Sequence, residues 1–521
     1  MRNTRTRYGI DNDQAKDVLL HPDVIEQVDV VEQISPQIRS RRVFSQLGVV
    51  LVLAMADIIT LAMALYLAIL IRLHALPPLA KAFTPGIPSR LIDQLWWVLI
   101  IGLACLTYEN LYSKRLPFWR ESKRLVKSMT LAFILMLAVV SLGKMSNEVS
   151  RTVLVLGYLI SIILLPLARL TTKTILTRIG FGTRSVLILG AGKTGELVAR
   201  MLLRDHFLGY RVAGFLDDNP IKRAKYIQVN GACFPVMGTF SDCDRIMEQT
   251  GARHIIIATP GMSAGKLVAL VNHLQRQADS VAVIPDLVGV PIIGIEANYS
   301  IDEQMLSLHI RNNLANPLKT FTKRLFDLVV GTIILIAVLP IMLLIMVAVK
   351  LDSPGASVFS HSRIGKGGTA FKFYKFRTMY VNNEEILQKH LEGNHRAQME
   401  WRTYAKLKEY DPRVTRAGKL LRKTSLDELP QIFNVIKGEM SLVGPRPYLP
   451  GEFTRLGTHA TSILSARPGV TGLWQVSGRN KIDFEGRLGL ESWYVRNWSL
   501  WLDITLLART LGVVLAGKGA Y

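Results

Sequence analysis

Cysteine is nearly absent from this chain: three residues in 521, at Cys105, Cys233 and Cys243. They make no metal-ligand spacing and no disulfide framework, which fits a reducing compartment. Acidic residues are scarce beside basic ones, 40 against 63, leaving a formal charge of +23. Nucleic acid is one reason for such an excess. The chain is also 49% hydrophobic with a positive mean hydropathy, which argues against nucleic acid and for a membrane protein with cationic cytoplasmic surfaces. The first forty residues are polar and contain no cleavable signal peptide. His361 and His390 have no ligand spacing and read as ordinary histidines.

Long apolar runs are plentiful. Four come first, over 43–71, 95–112, 128–143 and 152–170. Each is near the length needed to cross a bilayer, the third being short. Arg39, Arg41 and Arg42 precede the first run, Lys114, Arg115, Arg120, Lys123, Arg124 and Lys127 crowd the second loop, and Arg169, Lys173, Arg178 and Arg184 follow the fourth. This bias predicts a four-helix transmembrane region, 43–171, behind a polar tail, 1–42, with the tail, the second loop and all later residues cytoplasmic.

Residues 184–297 read as a soluble α/β unit. The strand-like run 186–189 enters Gly190-Ala191-Gly192-Lys193-Thr194-Gly195, which opens a helical pattern. Runs at 212–216, 254–258 and 281–284 continue a parallel-strand pattern, and Asp217 closes the second strand. A glycine turn between strand and helix, with an acid further on, is the pattern of a Rossmann-like domain. Gly190, Gly192, Gly195 and Asp217 are its candidate nucleotide-binding residues, although such turns also persist as fold elements without a ligand.

A fifth apolar run, 328–349, is flanked on both sides by Lys and Arg. Both flanks prefer the cytoplasm, and Pro340 removes a helical hydrogen bond mid-run. The expectation is a re-entrant membrane helix, 319–350, broken at Pro340, with Asp327 at its mouth pairing with a nearby cation. An ordinary fifth span is the alternative.

Asp427 and Glu428 then follow a basic cluster, Arg422-Lys423. Alone, the pair suits a helix start whose acids complement the dipole. Beside cations it suits phosphate chemistry: a carboxylate can hold a divalent cation or attack phosphorus, and arginine can clamp phosphate oxygens. Ordered around it stand Arg363-Ile364-Gly365-Lys366, Phe373-Tyr374-Lys375-Phe376-Arg377, Asp411-Pro412-Arg413, Gly444-Pro445-Arg446-Pro447 and Arg467-Pro468-Gly469-Val470-Thr471-Gly472.

This series, over 319–521, resembles the bacterial sugar transferase family of polyprenyl-phosphate hexose-1-phosphate transferases. The four spans and the Rossmann-like unit resemble its long members. The resemblance implies a small α/β catalytic domain, 351–521, at the bacterial inner membrane. There a UDP-sugar, with glucose as the implied hexose, gives its sugar 1-phosphate to undecaprenyl phosphate and releases UMP, beginning exopolysaccharide, capsule or O-antigen synthesis. It further implies Asp427 as nucleophile, Glu428 as partner of Mg²⁺ and Arg422 as a phosphate contact. Lys375, Arg377, Arg446 and Arg479 are further phosphate or uridine candidates. Trp474 and Trp498 read as packing or interfacial residues, and the apolar tail 498–515 as a helix lying in the interface.

Two other classes were weighed. A membrane-anchored, NAD-dependent nucleotide-sugar dehydratase would use a Tyr-x-x-x-Lys pair such as Tyr404 and Lys408, but no second glycine turn precedes it. A transporter or channel would carry functional polar residues in its spans, and Asp57 is the conspicuous one. A soluble unit without evident catalysis also leaves room for a homodimer.

Overall fold

The computed structural model describes residues 38–78, 96–144, 149–222, 225–286, 296–300, 305–309, 313–404, 407, 410–478 and 482–515. Two compact units are present, Met1–Leu287 and Val288–Tyr521.

The first unit opens with helices α1 (Ile38–Leu70, extended by a π-helical turn, Ile71–Ala75), α2 (Trp96–Tyr108), α3 (Phe118–Leu142) and α4 (Arg151–Arg178). The segments Leu47–Ala75, Phe118–Leu142 and Arg151–Arg178 are long and apolar enough to cross a membrane; α2 is shorter, at 13 residues. Two boundaries differ from expectation. Helix α3 starts ten residues before the apolar run, because its first turns are amphipathic and bury Glu121, Ser122 and Leu125. Helix α4 runs on past the apolar stretch, so Arg169 is not a loop cation.

Arg169 is instead buried, 1% exposed. Its guanidinium reaches Asp57 Oδ2 at 2.6 Å and Glu121 Oε1 at 2.8 Å. Lys173 Nζ takes the other Glu121 oxygen at 2.6 Å, and Tyr112 donates its hydroxyl to Asp57 at 2.7 Å. Two cations thus neutralise two acids and tie α1, α3 and α4 together. Charges withdrawn from water persist only when paired and hydrogen-bonded in this way. Asp57, the residue a transporter would use, is fully engaged.

After α4 comes a six-stranded sheet of β1 (Arg184–Leu189), β2 (Tyr210–Leu216), β3 (Tyr226–Val229), β4 (Ala232–Gly238), β5 (His254–Ile257) and β6 (Ser280–Val283), in the order β3-β4-β2-β1-β5-β6. All neighbours are parallel except the β3–β4 hairpin. That hairpin turns on Asn230-Gly231, both with positive φ, a pairing whose backbone twist matches the strands. Helices α5 (Lys193–Arg204), α6 (Cys243–Thr250) and α7 (Ala264–Leu274) connect the strands. Central β1 is buried throughout Val186–Leu189, which is why it reads as an unbroken apolar run.

The second unit holds the hairpin β7 (Glu296–Ser300) and β8 (Met305–His309), then α8 (Pro317–Asp352) and the antiparallel pair β9 (Val358–Ile364) and β10 (Ala370–Phe376). Helices α9 (Asn383–Gly393), α10 (His395–Tyr404), α11 (Arg416–Thr424) and α12 (Gln431–Lys437) follow. Strand β11 (Ser441–Val443) pairs in parallel with β12 (Gly469–Thr471), and α13 (Phe484–Arg496) and α14 (Leu500–Leu515) end the described chain. One core joins these elements through residues such as Val349, Phe376, Val435, Val443, Tyr494 and Leu506.

Helix α8 begins where Asn316 caps the amides of Leu318 and Lys319 and Pro317 fills the first turn. It continues for 36 residues through Pro340. The expected break is therefore absent as an interruption of the helix. A proline costs one hydrogen bond, and here apolar helix-forming residues on both sides carry the helix past it. Asp327 also departs from expectation. Its Oδ1 accepts from the Leu442 amide at 3.1 Å, while the nearby cation, Lys323, pairs with Asp503 at 2.7 Å. The tail expected to lie in the interface is α14, and Trp498 before it is buried, its indole donating to Asp503 at 3.0 Å.

Candidate active site

The acid pair lies between two helices, not at the start of one. Thr415 caps α11 by accepting from the Gly418 amide at 3.0 Å. Gly418 has no room for a side chain, since a Cβ would strike the Thr378 carbonyl. The helix ends at Ser425, which holds the left-handed conformation at φ 57°. A single 3₁₀ turn, Leu426–Glu428, follows before Pro430 starts α12. A left-handed serine costs about 1 kcal/mol relative to glycine, and strain of this kind gathers at functional sites.

Opposite the turn stands β10. Asn434 in α12 fixes it: the Asn434 side chain accepts from the Tyr374 amide at 3.2 Å and donates to the Lys372 carbonyl at 2.6 Å. This stitch sets Lys375 before both acids. Its ammonium lies 2.7 Å from Glu428 Oε1 and 3.4 Å from Asp427 Oδ2. The Asp427 carboxylate is the more enclosed, 12% exposed against 36% for Glu428. Burial raises the Asp427 pKa; Lys375 and Arg422 oppose the rise and Glu428 adds to it.

These groups line a cavity of about 880 Å³. Arg363, His361 and Arg422 join them in its wall, with the apolar Val358, Phe359 and Val381 elsewhere around it. Arg422 is anchored by donating from Nε to Thr378 Oγ1 at 3.0 Å. His361, read from sequence as an ordinary histidine, lines this cavity. It lies two residues from Arg363, which donates to its Nε2 at 2.7 Å, and burial with the charges of Arg363 and Lys375 pushes its pKa down to about 4. The basic block 363–366 was the only sequence signal for this wall.

The remaining candidates divide. Arg377 borders the cavity; its guanidinium donates to Ser353 O at 2.7 Å, Ser353 Oγ at 2.9 Å and Pro354 O at 2.9 Å, while its Nε is buried without a partner among the described residues. These neutral groups close the end of α8 and hold Arg377 at the cavity wall. Arg446 is outside the cavity lining. Its amide donates to Glu491 Oε1 at 3.1 Å, and Tyr448 donates to Glu491 Oε2 at 2.6 Å. Arg479 and Lys408 lie outside the described residues. Trp474, expected to be packing, lines the cavity.

In the first unit, Gly190, Gly192 and Gly195 form the strand–turn–helix expected of them. A Cβ on Gly195 would overlap the Gly190 carbonyl. Asp217 folds back on this turn: Oδ2 accepts from the Ala191 amide at 2.8 Å and Lys222 at 3.1 Å, and Oδ1 from the Asn219 amide at 2.9 Å.

No three His, Cys, Asp or Glu side chains gather to hold a metal among the described residues. The adjacent Asp427 and Glu428 carboxylates nonetheless fit Mg²⁺, which binds through one or two carboxylates and completes its shell with water and substrate phosphates.

Comparison with known proteins gives this geometry a context. Residues 107–285 match a family described as a CoA-binding domain. A UDP-galactose-lipid carrier transferase of Erwinia amylovora is 36% identical over 92% of this chain and 98% of its own length. An undecaprenyl-phosphate galactose phosphotransferase of Salmonella typhimurium is 37% identical over 79% of this chain and 84% of its own length. A UDP-glucose:undecaprenyl-phosphate glucose-1-phosphate transferase of Xanthomonas campestris is 29% identical over 73% of this chain and 77% of its own. Residues 318–517, which contain the acid pair, Lys375 and the whole cavity, match the bacterial sugar transferase model, and with nearly full-length relatives of that kind the chain belongs to the bacterial sugar transferase family.

Proposed function

We propose that this chain transfers a hexose 1-phosphate from a UDP-sugar to undecaprenyl phosphate at the inner membrane, through a covalent intermediate on Asp427. The observation that carries this reading is the enclosed Asp427 carboxylate beside Glu428, with Lys375 bridging both, in a cavity walled by Arg363 and Arg422.

The chemistry follows from charge. A carboxylate needs no base to attack. An Asp427 oxygen bonds to the sugar-bearing phosphorus, the bond from that phosphorus to the bridging oxygen breaks, and UMP departs with the electron pair. A phosphate oxygen of undecaprenyl phosphate then bonds to the same phosphorus and returns Asp427 as carboxylate, leaving a lipid-linked diphosphosugar. Both steps gather negative charge, so positioned cations supply most of the catalysis. Lys375 and Arg422 stand closest to the reacting carboxylate, and Arg363 extends the positive wall. Mg²⁺ held by Asp427 and Glu428 would neutralise pyrophosphate charge and ease departure of UMP. One site serves two large substrates in turn.

Helix α8 supports a site at the membrane surface. Near its start Lys323 and Arg324 bond to Asp503, Val435 and Ile436. Near its end Ser357 donates to the Met346 carbonyl and the Ala417 amide to Asp352. Met342, Ile345 and Val349 enter the same core. A spanning helix would separate its two ends by about 30 Å of hydrocarbon. Here both ends serve one body, while Ile333, Ile336 and Leu344 between and beside them are exposed. We read α8 as changing direction at Pro340 while remaining helical and so dipping into one leaflet without crossing, with the catalytic unit and the Rossmann-like sheet cytoplasmic.

For the sugar, the relatives named for galactose are more identical to this chain, over a larger share of it, than the one named for glucose. They favour galactose over the glucose that the sequence suggested. The deciding assay supplies membranes with undecaprenyl phosphate, Mg²⁺ and each UDP-hexose in turn, and measures UMP. Asp427→Asn should lower lipid-dependent UMP release by about three orders of magnitude or more and abolish labelling of the protein by radioactive phosphosugar. Full activity in that variant would remove Asp427 from the nucleophile role.

A further inference from the structure

We infer that the N-terminal unit carries a separate site for the phosphate of a membrane lipid together with the first carbons of its chain. A cavity of about 400 Å³ lies among α1, the loop before α3, the end of α4 and the start of β1. One side is apolar, formed by Leu47, Val50 and Leu53 of α1; the other carries the cations Lys114, Arg115, Lys173 and Arg184. Every lining residue belongs to this unit, whereas the acid pair belongs to the other.

The cations are arranged to receive an anion. Arg115 is fixed in place by donating to the carbonyls of Leu208 at 2.9 Å, Gly209 at 2.8 Å and Gly182. These partners are neutral and its other neighbour is the Tyr210 ring, 5.7 Å away, so among the described residues no carboxylate pairs with it. Burial, and after it the neighbouring Arg184 charge, push the Arg115 pKa down to about 10. Arg184 Nε is buried with no hydrogen-bond partner. Lys173 is the cation of the group with a carboxylate, Glu121 at 2.6 Å. A phosphate among these groups would relieve the repulsion and take charge-assisted hydrogen bonds.

The apolar side says what the phosphate is attached to. Leu47 of α1, 61% exposed, lies within two turns of Arg41 and Arg42, where the apolar run of this helix begins, so these side chains stand near where hydrocarbon meets headgroups. A water-soluble anion has no use for that wall; a lipid phosphate fills both halves. Basic pockets at this depth suit anionic headgroups. A bilayer phospholipid and a polyprenyl phosphate share this chemistry.

The test uses the full chain, purified in detergent and analysed by native mass spectrometry with phosphatidylglycerol, undecaprenyl phosphate, phosphatidylcholine or inorganic phosphate. Lys114→Gln with Arg184→Gln should weaken retention of the anionic lipid about thirtyfold, each lost charge counting for about fivefold. The control pair Arg211→Gln with Lys266→Gln, at exposed positions, removes the same net charge and should change nothing. Should the first pair fail to fold, exposed Lys114→Gln alone still predicts about fivefold. Preference between phosphatidylglycerol and undecaprenyl phosphate then identifies the source. Equal retention by variant and control, equal binding of phosphatidylcholine, or inorganic phosphate binding as tightly as lipid would overturn the assignment.

Discussion

Lys375 lies closer to Glu428, at 2.7 Å, than to Asp427, at 3.4 Å. The difference separates two otherwise similar carboxylates. Glu428 is held by the ammonium and reaches toward solvent. Asp427 is enclosed and less tightly paired, as the proposed nucleophile should be.

Removing the cation should therefore damage turnover more than folding. Lys375→Met is expected to lower kcat by about 10²–10³, and Lys375→Arg to recover part of the loss by keeping the charge. Steady-state UMP release at saturating UDP-hexose checks both. An unchanged kcat in Lys375→Met would exclude a role in the charged transition state.

Glu491 holds the Arg446 turn and titrates near neutrality, its pKa pushed up to about 7 by burial. The folded protein then binds a proton that the unfolded chain releases near pH 4.5. Between these values stability falls as pH rises, and above about 7 this contribution levels off. The whole effect is about 3 kcal/mol at most. In Glu491→Gln the difference from wild type should shift in favour of the variant between pH 5 and 8. Denaturant or thermal unfolding in detergent at several pH values measures it, and a pH-independent difference would contradict the assignment.

The Asp57–Arg169–Glu121–Lys173 network should behave as a unit. Arg169→Leu leaves Asp57 without a counter-charge and is expected to cost about 3–5 kcal/mol. Asp57→Leu with Arg169→Leu leaves Glu121 with Lys173 and should cost less than Arg169→Leu alone. Thermal unfolding in detergent separates this from additive loss, in which the double variant is the least stable.

What the sequence disclosed followed from how local each signal was. The apolar runs, the parallel strands and the acid pair are contiguous in the chain and were legible. The Asn230-Gly231 hairpin was equally local and was overlooked. The anchoring of Arg377 was invisible because its partners, Ser353 and Pro354, reach it only through the fold. Arg169 looked like a loop cation because its acids lie 112 and 48 residues away. His361 has no motif; only the pairing of β9 with β10 brings it beside Lys375. Pro340 does not end α8, because intrinsic propensity is weak against a long apolar helix that packs at both ends.

The metal prediction rests on the same asymmetry as the first. Two adjacent carboxylates without a third acid nearby bind Mg²⁺ weakly on their own, and substrate oxygens complete the shell. Chelation by EDTA should stop UMP release, and added Mg²⁺ should restore it. In Glu428→Gln one carboxylate oxygen pair becomes an amide, so the Mg²⁺ needed for half-maximal rate should rise about tenfold, within the range for losing a metal-site group. Asp427→Asn should stay inactive at every Mg²⁺ concentration, because under the proposed mechanism the missing group is the one that forms the bond. Mn²⁺ binding followed by electron paramagnetic resonance, with UDP-hexose present, reads the site without turnover. Unaltered Mn²⁺ affinity in Glu428→Gln would move the metal away from this residue.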